Sequence, residues 1–398
     1  MTSTPRVEGS LSRPCMKCRV QEATLDSRSQ PVCRDCFAKF IAAKCIKQTG
    51  ILGKETRLPL PTTGGPPTGT RHYMVGLSLG VSSTVLLHLL SENIEFQLAR
   101  GRNAPFDLTV VHIDTTTTTT VTTPSPAVEE ALTRYRTRYP RFTFHRTPLS
   151  STTPTPSTAT PTPLPTAASR SDVTRQLTRR ALLEQARARG CQALLLGHST
   201  TALAELTLAE AAKGRGFALP WLVKDGVAPV GGKRKGLGGG GGEGRENGDG
   251  GRNEDGEEEE EAGKGVLVYH PLRDALRKEL VIYAGLVEPP LTDLVWETKD
   301  DAAAAVVSHK DLSIEEVMGR YFAEVEESYP SVVANVARTT GKLVRAGEGE
   351  AGGEWCGLCG MPLDEDGDER WRGELGIQER SDTGTGRLCY GCERSTAG

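Results

Sequence analysis

Apolar and polar positions change period repeatedly through the middle of the chain, and each change marks an element. His72 to Leu77 is a short apolar run that ends in a Gly/Ser turn, and Val81 to Leu90 then has helical spacing. Asp107 to Asp114 (DLTVVHID) predicts an apolar strand ending in an acid. Val128 to Tyr139 is helical, and Arg141 to Leu149 alternates as a strand does. Asp172 to Arg189 predicts a long helix stopped by Gly190. Cys191 to Gly197 predicts a buried strand followed by a helix over Thr200 to Lys213. Val266 to His270 and Asp274 to Leu286 repeat the unit. Ser313 and Glu316 have the spacing of a capping box that opens another helix. Repeated β-α units with uniformly apolar strands predict an α/β fold whose parallel sheet is covered on both faces.

Three stretches interrupt this pattern: the Thr run 115–126, the Ser/Thr/Pro tract 148–168 and the Gly/acid tract 231–264. Each falls between a strand and the next element, as a surface insertion does. Loop closure entropy grows slowly with length, so a core tolerates such insertions, and no structure is assigned to them. The 398 residues suffice for two or three domains. The 45 glycines and 24 prolines, with aromatics at only 5%, point to folded parts separated by low-complexity sequence. The expected division is a four-cysteine module at 1–50, an α/β body at 70–345 carrying the three insertions, and a second four-cysteine module at 350–398. No run approaches the roughly 18 apolar residues of a membrane span. The start, MTSTPRVEGSLSRPC, has no apolar secretory segment, so an intracellular chain is expected.

Charge adds little. The formal net charge is −3, but residues 243–261 alone hold ten acids against Arg245 and Arg252. The rest of the chain is therefore modestly basic, and metal-bound thiolates would bring it near neutrality. A nucleic-acid partner has to be argued from local patches.

Cysteines bracket the sequence. Cys15-x2-Cys18 and Cys33-x2-Cys36 lie near one end, and Cys356-x2-Cys359 and Cys389-x2-Cys392 near the other. Two CxxC knuckles place four thiolates at the corners of a tetrahedron, which suits Zn²⁺ and leaves no open position for chemistry. Thiolates also suit iron–sulfur clusters, so the site is better defined than its metal. Cys45 and Cys191 stand outside both sets and read as small buried apolar residues.

The turn Gly76-Leu77-Ser78-Leu79-Gly80-Val81-Ser82-Ser83 joins the first strand of the body to its helix. Small residues there let backbone amides converge on an anion at a helix N-terminus. No Gly-Lys-Ser/Thr follows, so it is not a Walker A loop. Gly76, Ser78 and Gly80 also match the G-x-S-x-G nucleophile elbow, so a serine hydrolase using Ser78 with His198 or His270 is an alternative. It lacks an upstream strand to supply an oxyanion donor.

At this turn and at Leu196-Gly197-His198 the sequence resembles the PP-loop ATPases that activate tRNA by adenylation. The active pattern is Ser-Gly-Gly-Lys-Asp-Ser; here it reads Ser78-Leu79-Gly80-Val81-Ser82-Ser83. The second signature, Gly-His-x-x-Asp-Asp, reads Gly197-His198-Ser199-Thr200-Thr201 and runs on into Ala202 to Glu205. The lysine and the acids are replaced. The resemblance therefore implies nucleotide-site positions at Ser78, Gly80, Ser82, Ser83, Gly197 and His198, with ATP turnover weakened or abolished. Two four-cysteine modules around such a body, with Arg179-Arg180 and His270-Pro271-Leu272-Arg273, look like the tRNA 2-thiolation proteins. The degenerate loop resembles the cytoplasmic tRNA 2-thiolation protein 2 family, the partner of the catalytic subunit. Residues 170–178 lack the CxxC that the catalytic sibling carries there.

The resemblance implies a cytoplasmic heterodimer with that catalytic subunit. Together they convert wobble uridine of lysine, glutamate and glutamine tRNAs to 5-methoxycarbonylmethyl-2-thiouridine. Sulfur comes from a thiocarboxylated ubiquitin-related modifier, and no membrane is involved. It assigns no catalytic residue to this chain. A zinc-ribbon scaffold without an RNA role is the alternative from another class.

Two basic patches are candidate tRNA contacts. Residues 134–146 hold Arg134, Arg136, Arg138 and Arg141 among Tyr135, Tyr139, Phe142 and Phe144, and the long helix holds Arg175, Arg179 and Arg180 on one face. The competing reading is a solvated helix face over core aromatics.

Overall fold

The computed structural model describes residues 13–28, 30–57, 69–116, 125–149, 164, 166–230, 265–296, 312–345, 355–363 and 387–397. An antiparallel hairpin, β1 (Leu25–Ser27) and β2 (Gln30–Val32), leads into the long helix α1 (Arg34–Glu55). Phe37, Ile41, Cys45 and Leu52 line its buried side and join the main core of the molecule. α1 thus runs through residue 50, the expected end of the N-terminal module, without a break.

The body alternates strands and helices as its periodicity predicts. In order they are β3 (His72–Gly76), α2 (Val81–Ala99), β4 (Asp107–Asp114), α3 (Pro126–Arg138), β5 (Thr143–Pro148), α4 (Ala167–Ala188), β6 (Ala193–Leu196) and α5 (Thr200–Ala212). Then come α6 (Leu219–Val223), β7 (Gly226–Ala228), β8 (Val266–Tyr269), α7 (Arg277–Leu286), α8 (Ile314–Ser328), α9 (Pro330–Thr340) and α10 (Tyr390–Ala397). The six-stranded sheet has the order β5-β4-β3-β6-β8-β7, parallel except for β7 at one edge. Leaving β7 aside, this is the doubly wound order, in which the chain reverses direction between β3 and β6. Ligands of such sheets bind outside the carboxyl ends of the strands at that switch point.

Successive strand residues face opposite layers. Tyr73, Val75, Val110 and Leu195 point into a core closed by α2, α3 and α7, which α1 also joins. Met74, Val111, Leu194 and Val268 point the other way, against Ala181, Leu183 and Ala186 of α4. The expected two-sided cover is present. α8 and α9 pack on α5 through Phe322 and Val333, which are fully buried. Burying a phenylalanine is worth roughly 1.5–3 kcal/mol, enough to hold the pair in place. Ser313 and Glu316 form the expected capping box, with Glu316 N–H donating to Ser313 Oγ at 3.2 Å.

Two expected insertions reach into elements. α3 starts at Pro126, a residue suited to a first helical position. α4 starts at Ala167, where the Thr166 hydroxyl caps the helix by accepting from Ser169 N–H at 3.0 Å. The cores of the insertions, 117–124, 150–163 and 231–264, lie outside the described residues.

Candidate functional site

The turn after β3 and the Gly197-His198 segment after β6 lie side by side at the switch point. Glycine is required at 197: a Cβ there would lie 2.7 Å from Ser83 Cα and 2.8 Å from Ser83 N. The missing side chain lets the β6 loop press on the first turn of α2. Gly80 is the N-cap and no side chain caps it, so the first-turn amides of Val81, Ser82 and Ser83 have no intrahelical acceptor. Ser78 is exposed and its Oγ sits 3.0 Å from Ser83 Oγ. The cradle of small residues is therefore assembled.

The groups that would act on a bound nucleotide are not there. Val81, in the lysine position, packs against the main core. Leu79 adopts φ +66°, a conformation that favours glycine, yet it is buried, and its carbonyl accepts from Trp296 N–H at 2.9 Å. Thr201, in the first acid position, donates to Glu326 Oε1 at 2.9 Å and accepts from Arg277 N–H at 3.0 Å. Asp114, at the carboxyl end of β4, has no exposed side-chain surface and pairs with Arg146 while accepting from the Thr116 hydroxyl at 2.6 Å. Burial alone would raise this carboxyl; the bonds from Thr116 and Arg146 outweigh it and hold it below its ordinary value.

Two histidines close the site. His270 is fully buried, and its Nδ1 lies 2.9 Å from Asp225 Oδ1, whose other oxygen accepts from Arg273 Nη1 at 2.5 Å. Its Nε2 has no partner, nor has Nδ1 of His198, whose ring stands edge-on 5.2 Å from the His270 ring. Burial pushes His198 down to about 3, with the charges of His270, Arg179 and Arg175 adding to it; burial also lowers His270, against the opposing pull of Asp225. The partners of Ser78 are Ser83 and Gly80, not an imidazole, so the serine-hydrolase arrangement is not built.

Both cysteine sets converge as their spacing predicts. The four sulfurs of Cys15, Cys18, Cys33 and Cys36 lie within 4.8 Å of one another, and so do those of Cys356, Cys359, Cys389 and Cys392. Cys18 and Cys33 sulfurs are 3.9 Å apart, and Cys359 and Cys389 sulfurs 4.0 Å. A tetrahedral ion with metal–sulfur bonds of about 2.3 Å has sulfur–sulfur edges of about 3.8 Å, so each set fits one ion. A four-iron cluster would spread its thiolates over four metals. Cys389 N–H donates to Cys356 Sγ at 3.3 Å, the kind of bond that stabilises a thiolate ligand. Hydrogen bonds from Cys359, Cys389 and Cys392 also hold Cys356 well below its ordinary value.

A third group, Asp172, Glu210 and Glu315, brings its carboxylates equally close, but cations already fill it. Lys213 Nζ lies 2.7 Å from Asp172, Arg175 lies 2.6 Å from Glu210 and 2.5 Å from Glu315, and Arg215 pairs with Asp172. Cys45 and Cys191 are buried and pushed up by burial, to about 12 and about 11, as inert core thiols are.

The arginines divide by location. Arg134 and Arg141 are exposed, Arg136 pairs with Glu129 at 2.5 Å, and Arg138 Nη2 donates to Pro289 O at 2.7 Å. Tyr135, Tyr139 and Phe142 between them are buried, so these rings serve the core and do not stack on bases. Arg175 belongs to the carboxylate network. Arg179 Nη2 donates to Trp221 O at 2.6 Å, and Arg180 Nη1 to Gly357 O at 2.6 Å, so this pair faces the C-terminal cysteine module. Arg146, the last arginine of the 134–146 patch, is committed to Asp114; Asp225 and Arg215 carry no sequence signal, because their partners are distant in the chain.

A sequence profile of the family described as cytoplasmic tRNA 2-thiolation protein 2 matches residues 313–388, from α8 to the edge of the last knuckle. Proteins of that name from Phaeosphaeria nodorum and Pyrenophora tritici-repentis are each 32% identical. The first aligns over 98% of this chain and 96% of its own length, the second over 96% and 94%. Among solved structures, the U34-tRNA thiolase NcsA from Methanococcus maripaludis, with its 4Fe-4S cluster, superposes with a TM-score of 0.55 at 16% identity. The match covers 94% of this chain and 99% of that one. The shared architecture is the PP-loop α/β fold.

Proposed function

We propose, for a chain that belongs to the cytoplasmic tRNA 2-thiolation protein 2 family, that it serves tRNA 2-thiolation as the subunit that does not perform the adenylation. The observation that carries this reading is the switch-point cradle. It keeps the turn, the helix N-terminus and Gly197, but puts Val81 and Thr201 where a phosphate lysine and a magnesium-binding acid would act, and commits both to packing and internal hydrogen bonds. The positions Ser78, Gly80, Ser82, Ser83, Gly197 and His198 remain a nucleotide-shaped surface without the groups for turnover.

On this reading the chain pairs in the cytoplasm with a catalytic PP-loop subunit. That subunit activates the wobble uridine of lysine, glutamate and glutamine tRNAs, and a thiocarboxylated ubiquitin-related modifier donates the sulfur. The division of labour follows the chain: cysteine modules at 1–50 and 350–398 flank the body at 70–345. Zinc is the metal proposed for both four-cysteine sets, because four thiolates around one ion leave no open coordination position. Arg134, Arg136, Arg138 and Arg141 form the proposed tRNA-facing patch; Arg175, Arg179 and Arg180 contribute to it only through long-range charge, their donors being engaged internally.

The test is nucleoside mass spectrometry of bulk tRNA from cells lacking this protein. The expected result is loss of the 2-thio group with the 5-methoxycarbonylmethyl group kept. Unchanged 2-thiouridine sinks the reading and leaves a metal-ribbon scaffold as the better account.

A further inference from the structure

The C-terminal cysteine module is held by arginines of the body in a way the N-terminal one is not. Its first knuckle is Cys356-Gly357-Leu358-Cys359. Arg180, on α4, aims Nη1 at the two carbonyls between those cysteines, 2.6 Å from Gly357 O and 3.4 Å from Leu358 O. Its Nε is bonded to Glu184 at 2.9 Å, which fixes the direction of the fork. The second knuckle is Cys389-Tyr390-Gly391-Cys392. Arg215, after α5, reaches Gly391 O with Nη2 at 3.4 Å, and its aliphatic stem fills the space where a side chain at 391 would go. A Cβ there would lie 2.5 Å from Arg215 Cγ. Arg215 is itself locked by Asp172 and Glu210. Arg179 also reaches the module, with Nη1 3.9 Å from Met361 Sδ just beyond the first knuckle.

We propose that Arg180 and Arg215 are positioning residues for the C-terminal metal centre. Each holds one of its two cysteine knuckles against the body, so that metal loading and docking of the module are one event. This rests on the reading that the four cysteines bind a metal. Four thiolates around a divalent ion carry a net charge of −2, and here that charge is buried, with Cys356, Cys359 and Cys392 almost wholly out of solvent. A buried dianion needs nearby cations, and three guanidiniums border this one. The same forks also set where each knuckle's backbone sits, and so how its two sulfurs aim. Supporting groups of this kind typically change metal affinity by about 10–100-fold when removed. Among the described residues no guanidinium donates to the carbonyls inside the N-terminal knuckles, so that set is an internal control.

The experiment uses the full chain with its bound metal. Metal content is measured, and each cysteine's labelling by iodoacetamide is timed by mass spectrometry in the presence of a chelator. Two variants are compared with wild type. Arg180→Met removes the fork from the first knuckle. Gly391→Ala drives a methyl against Arg215 Cγ and the Lys213 carbonyl, 2.5 and 2.7 Å from the new Cβ, and so forces the second knuckle away from the segment that carries Arg215. The expected result is that Cys356, Cys359, Cys389 and Cys392 label about tenfold faster or more in each variant, with loss of one metal per chain. Cys15, Cys18, Cys33 and Cys36 keep wild-type rates. Metal bound in wild type, with C-terminal labelling unchanged in both variants, overturns the clamp alone. Wild-type protein with no metal at the C-terminal cysteines overturns the metal reading together with the clamp.

Discussion

At the scale of single residues, local costs are set against burial at several positions. Leu79 keeps the left-handed backbone expected of a glycine, at a cost of roughly 1–2 kcal/mol, and offsets it by burying its side chain in the main core. Glu205 is a second case, where burial works against ionisation. It is pushed up to about 7, chiefly by burial, with Glu326 adding and Arg277 at 4.0 Å opposing. Its folded value lies above the unfolded one, so the folded state holds the proton more tightly. Stability is therefore lost as pH rises from the ordinary glutamate range through about 7. Glu205→Gln removes this dependence. It should be more stable than wild type at pH 8, by up to about 3 kcal/mol, and no more stable at pH 4. Urea midpoints at the two pH values check this, and an equal gain at both would show that charge is not the cause. Residue identity was the least legible level. Arg179 and Arg180 read in sequence as candidate tRNA contacts, but their acceptors at Trp221 and Gly357 come from segments far along the chain, so no local pattern could assign them.

At the scale of elements, the central strands β3, β4, β6 and β8 are the most legible, because each is a continuous apolar run; β1, β2 and β7 are three residues each and carry no such run. β4 spans Asp107–Asp114 as its pattern requires. Helix ends were less legible: α2 continues to Ala99, and its last two turns carry Glu92, Glu95 and Gln97, polar residues compatible with either helix or loop. α1 carries no clear helical signal for a related reason. Gln48 and Thr49 interrupt its buried side, and glycines at 50 and 53 lower its propensity, so tertiary bonds help fix it. Lys44 Nζ lies 3.0 Å from Glu279, and Gln48 Nε2 donates to Asp274 Oδ2 at 2.8 Å. The β6 loop and the start of α2 depend on each other more directly, through the backbone contact at Gly197. Gly197→Ala should force them apart, because every atom crowding the new Cβ is main chain. The expected cost is about 1–3 kcal/mol in global stability, read from the urea midpoint. A neutral substitution would mean that the switch-point cradle is loose, and that its preserved shape reflects no close packing.

At the scale of the whole molecule, the doubly wound order follows from the run of βα units, since right-handed crossovers leave few other arrangements of these strands. What the order does not reveal is where the cysteine modules sit. That depends on long-range pairs such as Arg28 with Glu279 at one end and Ser395 with Asp172 at the other. The same topology makes a definite statement about the acidic tract at 231–264. It connects β7 to β8, which pair antiparallel with Ala228 opposite Val266, so its two ends are already neighbours. It also leaves the sheet at the amino end of β8, whereas the switch-point cradle lies at the carboxyl ends of the parallel strands. A hairpin whose ends meet needs only a short turn. Replacing residues 231–264 by a four-residue Asn-Gly turn should therefore leave the fold intact. Shortening the loop about eightfold should add up to about 2 kcal/mol of stability through a smaller closure entropy. The melting temperature should stay level or rise, and the shortened chain should restore 2-thiouridine in cells lacking the wild-type protein. A fall in melting temperature would show that the tract packs on the body. A stable variant that fails to restore the 2-thio group would assign the ten carboxylates of the tract a part in thiolation itself.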